Sequence, residues 1–240
     1  MVSDLQRIGV EVWGQQDRIR LVHGFVRGKC DGKALGIPEA PSTPHLCEFK
    51  SSNDKGFKEI VKKGCKEAKP LHYTQCQIGM HAFGLSRCLY YVTNKNSDER
   101  YVERIHYDVE HCLRQLARAE RIAFSDVPPA RLSDNPEFFK CRFCRHKAVC
   151  FEGAQPRVTC RTCIHVQPEA GGDCHISCQR WSKPLSVEEQ REACPAHLFN
   201  PHLIDGEQID VDEGNEVITY RLRDGTIWRD GGGERQPSED

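Results

Sequence analysis

Leu46-Cys47-Glu48-Phe49-Lys50 is the stretch that decides the fold, because it has the pattern of a short strand with a carboxylate and an ammonium two residues apart. Side chains two apart in a strand point to the same face of a sheet. Glu48 and Lys50 are therefore predicted to lie side by side, with Phe49 pointing into the core. A surface Glu–Lys pair at a strand end is the alternative interpretation of this triplet taken alone.

A second carboxylate, Asp31, lies 17 residues earlier, in the segment Gly28-Lys29-Cys30-Asp31-Gly32. We expect Asp31 and Glu48 to share one hard divalent cation, with the Phe49 carbonyl as a further oxygen ligand. Lys50 would hold the attacking water or help to deprotonate it, while the metal polarises a phosphate. This set of residues predicts the chemistry of phosphodiester hydrolysis.

The segments around this strand alternate between strand and helix patterns, which predicts an α/β fold of about five strands and three helices over residues 1–124. Asn53 or Asp54 is expected to cap the first of the three helices. The expected strands are 8–13, 18–22, 46–50, 87–92 and 101–105, and the expected helices are about 55–68, 71–84 and 108–124.

Together with the helix His72–Met80, Asp31 and the Glu48-Phe49-Lys50 triplet resemble the PD-(D/E)XK nuclease superfamily, in its RecB-like and lambda-exonuclease-like branches. The resemblance covers about residues 1–150. It implies a restriction-endonuclease-like mixed sheet flanked by helices. It also implies a Mg²⁺- or Mn²⁺-dependent deoxyribonuclease of the exonuclease type, which acts on DNA in phage-type recombination, repair or replication.

In these branches a glutamine on the helix after the Glu-X-Lys strand belongs to the active site. By position Gln77 is the better match and Gln75 the second. The resemblance thus implies Asp31, Glu48, Lys50 and Gln77 as catalytic residues.

The superfamily usually carries an earlier helix with a Glu or His that completes the site. The segment Met1-Val2-Ser3-Asp4-Leu5 is similar to the end of such a helix, with no Glu or His at the right place before it. We therefore expect either a truncated start or a protein without that group. The alternative function is a non-catalytic DNA- or partner-binding module of the same fold. A third interpretation is a zinc-stabilised adaptor in which the Glu-X-Lys match is chance.

Five lysines are spaced by three or four residues along and just beyond the first predicted helix. On one helix face they would form a basic stripe that suits a phosphate backbone without reading its sequence. A solvated helix face is the equally weighted alternative. The residues are Lys55, Lys58, Lys62, Lys66 and Lys69.

Charge and cysteine are unevenly distributed along the chain. Residues 205–240 carry 11 acidic and four basic side chains, whereas residues 1–204 carry 30 basic and 24 acidic ones. A basic body is compatible with an anionic partner, although charge taken alone favours a solvated surface. Of the 14 cysteines, eight lie within residues 141–194. Clustering without a secretion signal favours metal binding over disulfides.

The first cluster is Cys141, Cys144 and Cys150, in a C-x2-C-x5-C arrangement. It is similar to the C-terminal cysteine triplet of iron–sulfur RecB-like nucleases. There, a fourth cysteine from before the first catalytic motif completes a [4Fe–4S] cluster. Zinc on the same three thiols, with His146 as the fourth ligand, is the alternative.

The second cluster predicts a structural zinc site on Cys160, Cys163, Cys178 and Cys194, because a segment with so few apolar residues needs a metal to fold. In the alternative, Cys174 or His197 replaces one of these four ligands. Unligated thiols are the remaining interpretation. A cysteine-rich tail of this layout also resembles phage-encoded nuclease-like proteins.

These patterns predict four regions. They are a nuclease-like core at 1–127, a triplet segment at 128–152, a zinc module at 153–204 and an acidic tail at 205–240. In the tail we expect a hairpin at 215–229 that turns at Asp224-Gly225, and a disordered end from Gly231.

The mean hydropathy is −0.63 and no apolar run approaches the ~20 residues of a membrane span. The start has no signal-peptide pattern. We therefore expect a cytoplasmic protein of a bacterial host. DNA, together with a recombination or replication protein, is the expected partner, and no membrane is expected.

Overall fold

The computed structural model describes residues 1–171 and 173–232. The chain folds into two compact units, Met1–Arg121 and Ile122–Asp240, called unit 1 and unit 2 below. The tail predicted to be disordered lies outside the described residues from position 233 onward. Among the residues that are described, no helix is long and apolar enough to cross a membrane.

The elements up to residue 124 alternate as the sequence predicts, with one further helix and two further strands. In chain order they are α1 (Val2–Arg7), β1 (Glu11–Trp13), β2 (Arg18–Leu21), β3 (Val26–Lys29), β4 (Gly32–Leu35), β5 (His45–Ser52), α2 (Asp54–Ala68), α3 (Pro70–Phe83), β6 (Arg87–Asn94), β7 (Arg100–His106) and α4 (Val109–Phe124).

Unit 1 is built on a five-stranded mixed sheet in the order β1-β4-β5-β6-β7, and β2 and β3 form a separate hairpin. Only β5 and β6 pair in parallel, with Glu48 opposite Tyr90. A parallel pair needs a long crossover connection, which α2 and α3 supply here. The predicted α/β class, a mixed sheet flanked by helices, is confirmed.

The two faces of β5 contribute to two separate cores, because its side chains alternate between them. Leu46 packs with Ile60 of α2 and Met80 of α3 on one face. Cys47 packs with Leu5 of α1 on the other, where Phe49 borders the same cluster. Glu48 and Lys50 therefore share the face of Leu46, on the side of the sheet that α2 and α3 cover.

Two glycines set the course of the crossover helices. At Gly64 the backbone has φ 74° and ψ 171°, so α2 is kinked within its last turn and a half. At Gly79, a Cβ would meet Leu46 Cδ2 at 2.6 Å, so α3 approaches β5 closely only because that side chain is absent. Asn53 caps α2 as predicted, since its Oδ1 accepts the Gly56 N–H at 2.9 Å.

Unit 2 consists of short elements separated by loops. They are α5 (Phe139–Arg142), α6 (Lys147–Phe151), β8 (Val166–Pro168), β9 (Ile176–Cys178), β10 (Lys183–Pro184), α7 (Val187–Glu192), β11 (Gly206–Asp212), β12 (Val217–Leu222) and β13 (Ile227–Gly231). The strands form two antiparallel sheets, β10-β9-β8 and β11-β12-β13.

In the acidic region β12 and β13 form a hairpin, with Gly225 at φ 86° in its turn. β11 was not predicted, and it completes a three-stranded sheet. The core of this sheet also takes in residues before position 205, since Leu198 and Phe199 pack with Ile218 and Tyr220. Residues on either side of the predicted boundary at 204 therefore share one core.

Candidate active site

Asp31 is hydrogen-bonded to the strand that carries the Glu-X-Lys triplet. It lies directly before β4, whose pairing with β5 begins at Gly32 opposite Cys47. The Phe49 N–H donates to Asp31 Oδ2 at 2.7 Å, so the carboxylate replaces a strand partner at this point. This contact fixes Asp31 beside the middle of β5 and leaves its second oxygen for another ligand.

Glu48 and Lys50 lie side by side on β5, as the strand period predicts. The Glu48 side chain is 3% exposed, and the Lys50 ammonium forms an ion pair with its Oε1. Apart from this ion pair, Oε1 has no polar partner among the described residues. Burial raises the pKa of Glu48 and the Asp31 charge adds to this, while Lys50 acts in the opposite direction.

The two carboxylates fit a hard divalent cation better than a soft one, because they offer only oxygen ligands. With Lys50 they carry a formal net charge of −1, which a divalent cation would turn to +1. Within residues 1–171 and 173–232, no three His, Cys, Asp or Glu side chains are arranged to hold a metal ion. A cation here would have Asp31 and Glu48 as its two side-chain ligands, and the remaining ligands would be backbone oxygen and water.

The structure brings Gln75, and not Gln77, to this group. Lys50 Nζ donates to Gln75 Oε1 at 3.2 Å. The buried Gln77 amide instead donates to the His106 carbonyl at 3.0 Å and accepts the Asp108 N–H at 2.7 Å. Residues two apart on a helix point in nearly opposite directions, so only one glutamine faces Lys50. The preference for Gln77 is therefore corrected in favour of the second choice, Gln75.

His72 belongs to the same face of α3, although sequence reasoning gave it no role. Its Nδ1 shares a hydrogen bond of 2.7 Å with the hydroxyl of Tyr90 on β6. Burial lowers the pKa of His72, and the positive charges of Lys50 and Lys69 lower it further. The available signal was its place three residues before Gln75, which puts both on one helix face.

The five lysines do not form one continuous stripe, because the kink at Gly64 separates the first three from the last two. Lys58 pairs with Asp54 at 2.8 Å and Lys66 with Asp108 at 3.1 Å. Lys55 and Lys62 have no acidic partner among the described residues.

The two cysteine clusters of unit 2 differ in their surroundings. Cys141 is buried, Cys144 is exposed and Cys150 is partly exposed. In the described part of the chain these three thiols are not arranged to hold a metal ion, so a [4Fe–4S] cluster or zinc there stays a prediction. The four cysteines predicted to bind zinc line a common cavity.

Comparison with known proteins gave only distant structural similarity. No family model and no curated protein matches the chain. The alkaline exonuclease LHK-Exo from Laribacter hongkongensis, in complex with dAMP, is 19% identical over 50% of this chain and 58% of its own, with a TM-score of 0.39. The second structure of LHK-Exo is 18% identical over the same shares, with a TM-score of 0.38.

The protein SSO0001 is 18% identical over 64% of this chain and 66% of its own, with a TM-score of 0.36. The chain therefore spans less than two thirds of each of these proteins. Similarity of this extent defines neither the fold nor the activity of this chain.

Proposed function

We propose that unit 1 is a metal-dependent deoxyribonuclease that hydrolyses phosphodiester bonds. The observation that supports this most is the meeting of Asp31, Glu48, Lys50 and Gln75 at one point of β5. The two carboxylates can bind a divalent cation. The ammonium and the amide beside them can donate hydrogen bonds to a phosphate.

Asp31, Glu48 and the Phe49 carbonyl would hold Mg²⁺ or Mn²⁺. When bound, the cation would polarise the phosphate and offset the negative charge that develops on it. The low exposure of Glu48 supports this assignment, because an ionised carboxylate in that place requires a compensating positive charge. With Lys50 as the only positive charge beside them, the two carboxylates leave one negative charge uncompensated.

Lys50 is held from two sides and is therefore fixed in position. It contacts Glu48 on its own strand and donates to Gln75 across the gap to α3. A positioned ammonium can donate a hydrogen bond to a phosphate oxygen or to the attacking water. This interaction stabilises the transition state most in a site from which bulk solvent is partly excluded. Gln75 would orient Lys50, and its exposed amide would also reach the phosphate or the water.

The finer assignments follow from the resemblance of the sequence and are part of the proposal. They are exonuclease action on DNA in phage-type recombination, repair or replication, in the cytoplasm of a bacterial host and alongside a recombination or replication protein. Lys55 and Lys62 are the lysines best placed to bind the DNA backbone, because they are exposed and free of ion pairs within the described residues.

The test is a cleavage assay on end-labelled linear DNA and closed circular DNA, with Mg²⁺, with Mn²⁺ and with EDTA. We expect loss of linear DNA only, dependent on the cation, and abolished in Glu48→Gln. Glu59→Gln is the matched control, because Glu59 lies on α2 and pairs with Lys63 and Lys69, away from Asp31 and Lys50 in the ion pairs of the described residues. DNA binding without cleavage by the folded protein would favour the non-catalytic alternative.

A further inference from the structure

Unit 2 contains a cavity of about 220 Å³ whose wall is rich in thiols. The cysteines in this wall come from a 3-10 turn, from β9 and from the segment after α7, so distant parts of the chain supply them. They are Cys160, Cys163, Cys178 and Cys194. Cys174 lies in the loop before β9 and does not line this cavity.

The elements around the cavity are too short to be stable by themselves. β8 and β9 have three residues each and β10 has two. Small sheets of this kind need a hydrophobic face or a cross-link to persist. The core of unit 2 is centred on Phe199, Ile218 and Tyr220 and includes no residue of these three strands. All four thiols are free, so no disulfide supplies the cross-link.

Charged side chains also line the cavity. Arg180 and Lys183 lie in its wall, where Arg180 pairs with Glu216 and Lys183 pairs with Glu189. Four thiolates around a divalent cation carry a net charge of −2. The two basic groups would offset part of that charge, because each already neutralises a glutamate.

We propose that Cys160, Cys163, Cys178 and Cys194 bind one structural zinc ion that holds the segment 160–194 together. The four thiols lose four protons to solvent and each thiolate donates one electron pair, with no change in oxidation state. This proposal is independent of the nuclease proposal, because every ligand lies in unit 2.

The structure selects these ligands over the two alternatives that the sequence left open. Cys174 is outside the cavity. His197 lines it, but its Nε2 is 3.2 Å from Thr162 Oγ1 and its ring packs edge-on against Phe199. His165 also lines the cavity, and its buried Nε2 has no hydrogen-bond partner among the described residues, which makes it the nitrogen competitor to be tested.

Binding requires the thiols to turn inward. In the described chain no three of these side chains already stand in a geometry that could hold an ion. The Cys160 thiol donates to the Glu189 carbonyl at 3.2 Å and would have to leave this bond. A rotation about its Cα–Cβ bond would release the sulfur from this carbonyl.

The test measures zinc in the full chain by mass spectrometry of the metal, and its ligands by X-ray absorption at the zinc edge. We expect Cys160→Ser and Cys194→Ser each to lose one equivalent of zinc per chain, while Cys174→Ser loses none. The expected coordination of that zinc is four sulfurs at about 2.3 Å.

Equal zinc in Cys160→Ser and Cys174→Ser would overturn the proposal, as would purified wild type without zinc that also fails to take it up. Where the serine variants do not fold, absorption on folded wild type and on His165→Gln decides. Four sulfurs in both proteins support the four-thiolate site. A nitrogen ligand in wild type that is lost in His165→Gln overturns it.

Discussion

Lys50 is the residue on which the candidate active site is organised. It contacts Glu48 on its own strand and donates to Gln75 of α3. Its charge also lowers the pKa of His72, which lies one helical turn before Gln75. A neutral residue here would leave Glu48 buried without a nearby cation. The same ammonium therefore stabilises the fold locally and is available for chemistry.

The two glutamines of α3 should separate function from stability. Gln75→Ala removes an exposed amide that touches Lys50, so we expect lower cleavage and an unchanged free energy of unfolding. Gln77→Ala removes a fully buried side chain and leaves the His106 carbonyl and the Asp108 N–H without this partner, so we expect a loss of about 1–3 kcal/mol in unfolding free energy. Urea denaturation and initial cleavage rates measure both effects. A cleavage defect in folded Gln77→Ala larger than in Gln75→Ala would contradict this assignment.

The sequence was sufficient to place Glu48 and Lys50 together, because a strand has a period of two that leaves no choice of face. It was not sufficient to choose between Gln75 and Gln77. That choice depends on the rotation of α3 about its axis, which is set by the packing of Tyr73, Cys76 and Met80 against the sheet. His72 was missed for the same reason.

His45 should make unit 1 less stable in acid. It is fully buried, its Nδ1 bonds to the Thr43 carbonyl at 2.8 Å, and its Nε2 has no hydrogen-bond partner in the described chain. Burial lowers the pKa of His45, and the charges of Arg104 and Arg87 act in the same direction, while Glu39 opposes them. Protonation therefore favours the unfolded chain, whose histidine has a pKa of about 6.5.

This contribution is fully present above pH about 6.5 and is lost as the pH falls toward the lowered pKa of the folded state. We expect the unfolding free energy of wild type to fall between pH 7.5 and 5.5 more steeply than that of His45→Asn. Urea denaturation at both pH values measures the difference. Equal slopes for the two proteins would show that His45 does not titrate in this way.

At the scale of elements, α2 is a helix that the local sequence pattern predicts only in part, because tertiary contacts determine its kink. Its apolar positions and its Asn53 cap predict the helix correctly. The kink at Gly64 was not predicted, because a glycine inside a helical pattern is usually read as tolerated. Here the Glu103 carboxylate accepts the Cys65 N–H at 2.7 Å, so β7 replaces the interrupted helical bond. Such a partner is 38 residues away in sequence and leaves no local signal.

Gly64→Ala tests this kink against helix propensity. In a regular helix the change would stabilise by about 1 kcal/mol. At φ 74° and ψ 171° it should instead destabilise by about 1–3 kcal/mol, because side chains rarely adopt this backbone conformation. Thermal and urea denaturation decide the sign, with the exposed Lys62→Ala as a control expected to be nearly neutral. A more stable Gly64→Ala protein would mean that α2 is regular.

For the whole molecule, the two proposed metal sites lie in different units, so we expect each metal to affect its own part of the chain. Removal of zinc by a chelator that leaves Mg²⁺ in solution should open the segment 160–194 to protease. The cuts should appear within unit 2 and leave residues 1–121 intact. Mass spectrometry of the fragments locates the cuts. New cuts in unit 1 with the same onset would contradict the assignment of zinc to unit 2.

The molecule as a whole was predicted unevenly. The sheet of unit 1 follows from strong strand and helix periods, whereas unit 2 has strands of two or three residues that no period reveals. There the cysteine spacing was the usable signal. It predicts a zinc site on four thiols, and these four line one cavity, whereas the shared core of Leu198 and Ile218 joins segments that composition had separated.

The most direct measurement is the initial rate of cleavage of linear DNA by wild type and by Glu48→Gln, in Mg²⁺ and in EDTA, with both proteins shown to be folded. The account predicts cation-dependent cleavage by wild type and a rate lower by about two orders of magnitude or more in the variant, because the change removes a ligand charge at the reacting phosphate. Equal rates for the two proteins, or cleavage that persists in EDTA, would contradict the assignment of the active site to Asp31, Glu48 and Lys50.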